Sequence, residues 1–193
     1  MMELKLNWMG DYGEVMDVAK KTDKPALLFF HSIHCTGCKA MLEKTLPDRD
    51  VIEYAGKRFS LGMFEWSEPK SKDLVKKYGV EWTPTFIVAD NNGNEVYRFV
   101  GYLPPKDFVA QLTLGLGKHA LRKDDFDQAG KCFDKVVKNC PKTEAAPEAA
   151  YYRGVAEYKK TEDPKNLKAA YEYLTKNYPD NDWAKKSIVW KDF

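Results

Sequence analysis

Two patterns of apolar and polar residues divide the chain near residue 117. Before that point, short apolar runs typical of buried strands alternate with segments of helical spacing. Four runs predict strands, at residues 26–31, 59–66, 85–89 and 95–100. After it, the strand pattern disappears and the chain is rich in Ala, Lys, Glu and Tyr at helical spacing. The pattern therefore predicts an α/β domain over residues 1–117 and an all-helical region over residues 118–193.

Helices are predicted before, between and after the strands of the first domain. They cover residues 11–22, residues 35–46, residues 71–78 and a last segment that begins at Pro104-Pro105. Pro47 ends the second of these helices and Gly79 caps the third. Residues 90–94 (DNNGN) are typical of a hairpin turn between the last two strands. The order from the first strand onward is βαβαββα, which indicates a small mixed sheet with helices on its faces.

The helical region contains an internal repeat. Residues 133–141 (FDKVVKNCP) match residues 171–179 (YEYLTKNYP) at an offset of 38, and Lys-Asn-x-Pro recurs at the same place in both. Small residues such as Gly130 and Gly154 fall where neighbouring helices must approach closely. This pattern is typical of stacked helix–turn–helix repeats and predicts a region like the tetratricopeptide (TPR) proteins. An ordinary helical bundle with a chance repeat is the alternative.

Composition and charge argue against several classes of function. The formal net charge is +2, from 31 Lys and Arg against 29 Asp and Glu, and no basic block indicates nucleic-acid binding. No run approaches the ~18 apolar residues of a membrane helix, and the first residues lack the apolar segment and cleavage site of a leader peptide. We therefore expect a cytoplasmic protein without membrane contact. Because stable structural disulfides are rare in the cytosol, close cysteines are expected to be catalytic or metal-binding.

The most informative motif is residues 34–39 (HCTGCK), which follow the apolar run of residues 25–30. Two cysteines separated by two residues can close a disulfide when a helix begins at the first of them. The N-terminal amides and the dipole of that helix would stabilise a thiolate on Cys35. A second signal, residues 82–88 (WTPTFIV), lies about 45 residues downstream. Together the two motifs favour a thiol–disulfide redox site.

The other His and Cys residues leave different chemistry to consider. A metal could use the four N and S ligands that fall within eight residues, which are His31, His34, Cys35 and Cys38. Convergence of all four would distort the turn, so we predict no metal in a single chain; a metal or iron–sulfur cluster shared between two chains is left open. Cys132 and Cys140 stand eight residues apart, on or just after a helix, and are predicted to be packing residues.

Residues 10–117 resemble the thioredoxin superfamily. The likeness is carried, in this order, by residues 24–30 (KPALLFF), 35–39 (CTGCK), 78–80 (YGV), 83–85 (TPT), 92–95 (NGNE) and 99–102 (FVGY). It implies an α/β thioredoxin fold without a cofactor, in which Cys35 is the exposed nucleophile and Cys38 the buried resolving thiol. It also implies a cis Thr83–Pro84 bond that lies against the active disulfide. Thr83 and Pro84 would bind substrate there, with the Thr83 backbone paired to an extended substrate chain. Trp82 is expected to bind substrate too, and Trp66 and Tyr102 could rim the same groove.

Three features depart from the usual thioredoxin pattern. His34 stands where Trp usually precedes the first cysteine, and Thr36-Gly37 replaces Gly-Pro. Phe29 occupies the place of a buried carboxylate that assists proton transfer from the resolving thiol. His31, His34 or water would then have to accept that proton. We expect His34, Thr36, Gly37 and Lys39 to modulate the cysteine pair, since a protonated His34 would favour the Cys35 thiolate.

The leading hypothesis is a protein-disulfide reductase of cell redox homeostasis, acting by dithiol exchange through Cys35 and Cys38. The resemblance implies a disulfide-containing protein client and an electron donor such as a thioredoxin reductase or the glutathione system. The helical region would recruit a protein partner or client, or mediate self-association. The alternative is a non-catalytic scaffold or chaperone-like binding protein, in which the fold supplies a peptide groove.

Overall fold

The computed structural model of the protein describes residues 5–193. These residues form two units, with the boundary between Leu112 and Thr113, inside a helix that runs from Pro105 to Arg122. The first four residues, on which part of the leader-peptide prediction rests, lie outside the described residues. Over residues 5–193, every helix is too short or too polar to cross a bilayer.

A mixed sheet forms the centre of the first unit. Among residues 5–193 it has four strands, in the spatial order β2-β1-β3-β4. The strands are β1 (Ala26–His31), β2 (Ser60–Glu65), β3 (Thr85–Ala89) and β4 (Glu95–Val100). β1 pairs in parallel with β2 and antiparallel with β3, and β3 pairs antiparallel with β4. The strands and the mixed sheet that the apolar runs predicted are confirmed.

Helices pack on both faces of this sheet. They are α1 (Tyr12–Thr22), α2 (Thr36–Ala40), α3 (Arg49–Arg58), α4 (Lys72–Lys77) and α5 (Pro105–Arg122). Neighbouring residues of β1 face opposite sides. Phe30 packs into a cluster with Val15 of α1 and Leu74 of α4, whereas the Phe29 ring stacks on Phe86, which meets Phe108 of α5. The end of β1, from which the cysteine motif starts, is therefore anchored in two cores.

α3 is not among the predicted helices. Pro47 ends the helix that starts at the cysteine motif, as expected, but the chain begins another helix at once. The Asp48 carboxylate accepts hydrogen bonds from the backbone N–H groups of Asp50 and Val51, at 2.9 and 3.3 Å. This N-cap satisfies amides that a new helix would otherwise leave unpaired. Val51 and Ile52 are buried on the inner face of α3.

The helix predicted at residues 35–46 is present but changes type part-way. α2 continues directly into a π-helix, Met41–Thr45. Here the backbone N–H of Leu46 donates to the carbonyl oxygen of Met41, five residues earlier, at 2.8 Å. The wider turn places the side chains of residues 41–45 differently from an α-helix.

The second unit is helical throughout. Beyond the end of α5 it contains α6 (Phe126–Asn139), α7 (Ala145–Thr161), α8 (Lys165–Asn177), α9 (Asp182–Lys186) and a 3₁₀ turn at Ser187–Trp190. α6 and α8 end in the same way, since Cys140 and Tyr178 donate backbone hydrogen bonds to Val136 and Leu174, at 2.9 and 2.8 Å. These equivalent ends lie 38 residues apart, as in the sequence repeat. The all-helical region is confirmed, and its relation to TPR proteins stays a prediction.

Candidate active site

Cys35 and Cys38 are joined in a disulfide at the start of α2, with their Cα atoms 5.2 Å apart. Cys35 is the N-cap of the helix, and its Sγ accepts a hydrogen bond from the backbone N–H of Cys38 at 3.0 Å. Cys35 is half-buried, whereas Cys38 is only 1% exposed. The first cysteine is therefore the one that a second protein can reach.

The turn between β1 and α2 is held by Ser32. The Ser32 hydroxyl accepts a hydrogen bond from the backbone N–H of His34 at 3.3 Å, and its carbonyl oxygen accepts one from Cys35 at 3.2 Å. The buried strand and this turn together fix where the disulfide emerges. Ser32 is absent from the predicted site residues, although a serine directly after a strand is a known turn signal.

The proline loop lies beside the disulfide. The Thr83–Pro84 peptide bond is cis, as the resemblance implies. A side-chain carbon placed on Gly37 would lie 3.2 Å from Cδ of Pro84, so the loop and the cysteine motif are in close contact. The Thr85 hydroxyl donates to the carbonyl oxygen of Trp82 at 2.8 Å, and Gly101 N–H donates to that of Pro84 at 2.9 Å. The first hydrogen bond ties the loop to the start of β3, and the second ties it to the end of β4.

An open groove of about 400 Å³ runs between these two segments. Among the predicted site residues it brings together His34, Cys35, Thr36, Gly37, Trp82, Thr83 and Pro84. Trp66 and Tyr102, which the sequence placed near the rim, also line it, as do Ser32 and Gly101. Trp82 is 69% exposed, which leaves a large aromatic surface facing solvent at the rim.

Two of the predicted site residues lie outside the groove lining. Cys38 is buried below the surface that Cys35 presents. Lys39 is exposed on α2, with its Nζ 3.8 Å from a carboxylate oxygen of Glu43. Within residues 5–193, no three His, Cys, Asp or Glu side chains come together in a way that could hold a metal ion.

Phe29 lies in an aromatic stack behind the site. Its ring is fully buried and lies 4.4 Å from that of Phe86, almost parallel to it. Phe86 in turn contacts Phe99 and Phe108, at 5.3 and 4.9 Å between ring centroids. The position at which the thioredoxin pattern has a carboxylate is therefore part of the apolar core.

His31 and Glu65 lie side by side where β1 and β2 end. The two residues are in register in the parallel pair, and His31 is half-buried. Burial lowers the pKa of His31, against the opposing effect of Glu65 and Glu68, so the imidazole is neutral near pH 7. The hydrogen bond from the Ser67 hydroxyl, 2.6 Å long, lowers the pKa of Glu65. Oε1 of Glu65 is buried and has no hydrogen-bond partner among the described residues.

Comparison with known families agrees with this geometry. The profile of the family described as "Thioredoxin-like domain" matches residues 12–115, which is more than half of the chain. The chain belongs to the thioredoxin-like domain family. The predicted thioredoxin fold is thereby confirmed, and the first unit is a thioredoxin-like thiol–disulfide oxidoreductase domain with a Cys-x-x-Cys pair.

Individual relatives carry the same kind of domain. "Thiol:disulfide interchange protein DsbD" of Neisseria meningitidis serogroups A and B is 29% identical over 97 residues, or 49% of this chain and 16% of the relative. The chain therefore spans about a sixth of the length of these relatives.

Solved structures support the fold. A thioredoxin from Thermus thermophilus superposes with a TM-score of 0.55 at 27% identity, covering 61% of this chain and 92% of the other. A putative disulphide isomerase from Bacteroides thetaiotaomicron gives 0.52 at 24% identity, covering 60% and 96%. At this level of identity the second similarity concerns the fold alone.

Proposed function

We propose that the protein is a protein-disulfide reductase acting through Cys35 and Cys38. The observation that carries the proposal is the disulfide at the start of α2, which opens into the groove on the side of Cys35 while Cys38 is buried. Such an arrangement separates an attacking thiol from a resolving thiol, as a two-step exchange requires.

In the reduced protein, the Cys35 thiolate attacks one sulfur of a client disulfide. A bond forms between Cys35 and that sulfur, and the other client sulfur leaves as a thiolate. Cys38 then loses its proton and attacks the Cys35 sulfur, which releases the second client thiolate and closes the Cys35–Cys38 disulfide. Two electrons pass to the client, and the protein ends in the oxidised form. The Cys38 N–H, 3.0 Å from Cys35 Sγ, is in place to stabilise the initial thiolate.

The groove would hold an extended client chain across the disulfide. We assign Thr83 and Pro84 to the backbone of that chain, and the exposed ring of Trp82 to an apolar client side chain. His34, Thr36 and Gly37 line the groove around Cys35, and Lys39 carries a positive charge on the next turn of α2. These four residues would tune the cysteine pair rather than react themselves.

Proton transfer from Cys38 would differ from that in proteins with a buried carboxylate. That position holds Phe29, whose ring is stacked on Phe86. We propose that water or a histidine accepts the proton, with His31 and His34 as the candidates. Slower exchange or a narrower range of clients would follow from this.

The direction of electron flow rests on the predicted cytoplasmic location. A cytosolic reductase would receive electrons from a thioredoxin reductase or from the glutathione system. Redox titration in glutathione buffers, with alkylation of Cys35 and Cys38, checks this: a potential of about −270 mV is expected for a reductase. A much less negative value would indicate an oxidant or isomerase and would contradict the cytoplasmic location.

The helical unit would recruit a protein partner or client. Supporting this, α6, α7 and α8 border an open groove of about 310 Å³. Arg153 lies in it, 3.0 Å from Asp134 and with its guanidinium 4.9 Å from the Tyr173 ring centroid. Reversing the charge by Arg153→Glu should abolish cross-linking to such a partner while leaving the reduction of a small disulfide unchanged. Equal cross-linking by wild type and variant would show that this groove does not bind the partner.

Trapping of the mixed disulfide tests the catalytic proposal. Cys38→Ser should accumulate covalent complexes with disulfide-bonded clients such as insulin, because the resolving thiol is missing. Cys35→Ser is the matched control and should accumulate none. The wild type should reduce insulin with dithiothreitol as the electron source. Binding of insulin without trapping or turnover would support the alternative, a non-catalytic scaffold or chaperone-like protein.

A further inference from the structure

Two side chains of the π-helix hold one residue of the segment that follows β4. The Thr45 hydroxyl donates a 2.6 Å hydrogen bond to the carbonyl oxygen of Leu103. The backbone N–H of Leu103 donates to Sδ of Met41 at 3.4 Å. Both Met41 and Thr45 are fully buried. The N–H and the C=O of Leu103 are thus both bound by side chains of the segment that continues the active-site helix.

Leu103 follows directly on a residue of the client groove. Tyr102 lines the groove beside the disulfide. A side-chain carbon placed on Gly37, between the two cysteines, would lie 3.9 Å from Cβ of Tyr102. Tyr102 is 41% exposed. The position of the Tyr102 ring therefore depends in part on the backbone segment that carries it.

That backbone is anchored at both ends. On one side of Tyr102, the N–H of Gly101 donates to the carbonyl oxygen of Pro84 at 2.9 Å. On the other side, Leu103 is bound by Met41 and Thr45. The first anchor ties the segment to the proline loop, and the second ties it to the helix that carries the cysteines. Tyr102 is therefore held between the two segments that form the groove.

We infer that Met41 and Thr45 are positioning residues that hold Tyr102 as a wall of the client groove. The inference rests on the proposed function, since it assigns both residues a part in client binding. They act through Leu103 and not on the reacting sulfur atoms. The π-turn between them fits this role, because such turns occur frequently at functional sites.

Removal of the Thr45 hydroxyl should weaken client binding more than the chemical step. The carbonyl of Leu103 would lose its donor inside the protein, which frees the segment to move. A displaced Tyr102 would contact the client less well before and during the reaction alike. Loss of such uniform binding raises KM and leaves kcat nearly unchanged.

The decisive variant is Thr45→Val, which keeps the shape of the side chain and removes the donor. With insulin as the client, we expect KM to rise about five- to tenfold, with kcat and the Cys35–Cys38 potential unchanged. Thr45→Ser keeps a hydroxyl and should restore KM. Ser60→Ala is the matched control, because it removes another buried hydroxyl, which donates 2.7 Å to Val15 on the α1 side of the sheet. It should leave KM unchanged.

Two further measurements separate this inference from the proposed function. Amide hydrogen exchange at Leu103 should accelerate in Thr45→Val and not in Ser60→Ala, whether or not the protein reduces insulin. Tyr102→Ala should raise KM as Thr45→Val does, and the double variant should raise it no further. Unchanged exchange at Leu103, an unchanged KM, or additive effects of the two changes would each overturn the positioning role. Failure of the wild type to reduce insulin would instead refute the proposed function alone.

Discussion

The backbone N–H of Cys38 points at Sγ of Cys35, 3.0 Å away, so the sulfur of the first cysteine is the N-cap of α2. The residue proposed to react is also a residue that holds the start of its helix. A hydroxyl in the same place would accept the same hydrogen bond, whereas a methyl group would not. Substitution of Cys35 by serine should therefore remove the reacting thiol and keep the capping hydrogen bond.

Comparison of Cys35→Ser with Cys35→Ala should show the capping role. In dithiothreitol, which opens the disulfide, Cys35→Ala should unfold with a free energy about 1 kcal/mol lower than that of Cys35→Ser. Neither variant should trap a client. Urea unfolding of both proteins measures the difference. Equal stability would mean that the hydrogen bond to residue 35 contributes nothing to the fold.

The aromatic stack behind the site leads to a second prediction. Phe29→Asp would restore the carboxylate of the thioredoxin pattern, but it would place a charge where the Phe29 ring stacks on Phe86 at 4.4 Å. Loss of a buried Phe alone costs about 3–5 kcal/mol, and the unpaired charge adds to this. We expect severe loss of stability, measured by urea unfolding, and no gain in insulin reduction.

Ile33→Asp is the matched control for that substitution. Ile33 is 77% exposed in the turn before the cysteine motif. An apolar-to-acidic change at such a position should alter the free energy of unfolding by no more than about 0.5 kcal/mol. Phe29→Asp with near-normal stability would show that the aromatic stack tolerates a carboxylate. An acceptor for the Cys38 proton could then be introduced at this position.

The apolar runs predicted the strands well, because a strand buried on both faces leaves a continuous signal such as residues 26–30. α3 was missed for a different reason. Pro47 is a correct stop signal, but Asp48 directly after it is an equally clear N-cap, followed by Val51, Ile52 and Ala55 at helical spacing. The two signals overlap, and the stop signal alone does not predict α3.

Other features could not be predicted from the sequence. No residue pattern distinguishes the π-helix at Met41–Thr45 from one more α-helical turn, and the residue that its side chains bind, Leu103, lies 58 residues after Thr45. The segments that line the client groove are likewise distant from one another in sequence. The cysteine motif and the proline loop were expected to meet because of the family resemblance. Ser32 and Gly101 also line the groove, but a turn serine or a glycine after a strand does not by itself indicate a place in a binding site.

Acid sensitivity is the third prediction, and it concerns His31. Burial lowers its pKa below the ordinary value of 6.5, in spite of Glu65 and Glu68 nearby. Below pH 6.5 the unfolded chain therefore binds a proton that the folded chain does not yet bind. The free energy of unfolding should fall as the pH decreases from 7.5 to 5.5, a window above the range in which carboxylates titrate.

His31→Gln removes the titrating group and tests this directly. The variant should lose less stability than the wild type over the same pH window, when both are unfolded in urea at pH 7.5 and 5.5. Above pH 7, the difference in free energy of unfolding between the two proteins should no longer change with pH. Parallel stability curves at every pH would show that His31 takes up its proton equally well in the folded and unfolded chain.

Two helical glycines should respond to alanine in opposite ways. Gly56 lies on the exposed side of α3, where an added Cβ meets only Cδ2 of Leu6, at 3.7 Å. Gly154 lies in α7, where an added Cβ would collide with Cβ of Ala170 on α8. Alanine lowers the entropy cost of a helix at both positions, by about 0.5–1 kcal/mol. Only at Gly154 does a steric cost oppose that gain.

Gly56→Ala should therefore raise the free energy of unfolding by about 0.5–1 kcal/mol, whereas Gly154→Ala should lower it by about 1–3 kcal/mol as α7 and α8 are forced apart. Urea unfolding of both variants beside the wild type measures the two signs. The close approach of α7 and α8 is what the small residues of the repeat were predicted to permit. A stabilised Gly154→Ala protein would show that the two helices separate at little cost, and the repeat would then lack its physical basis.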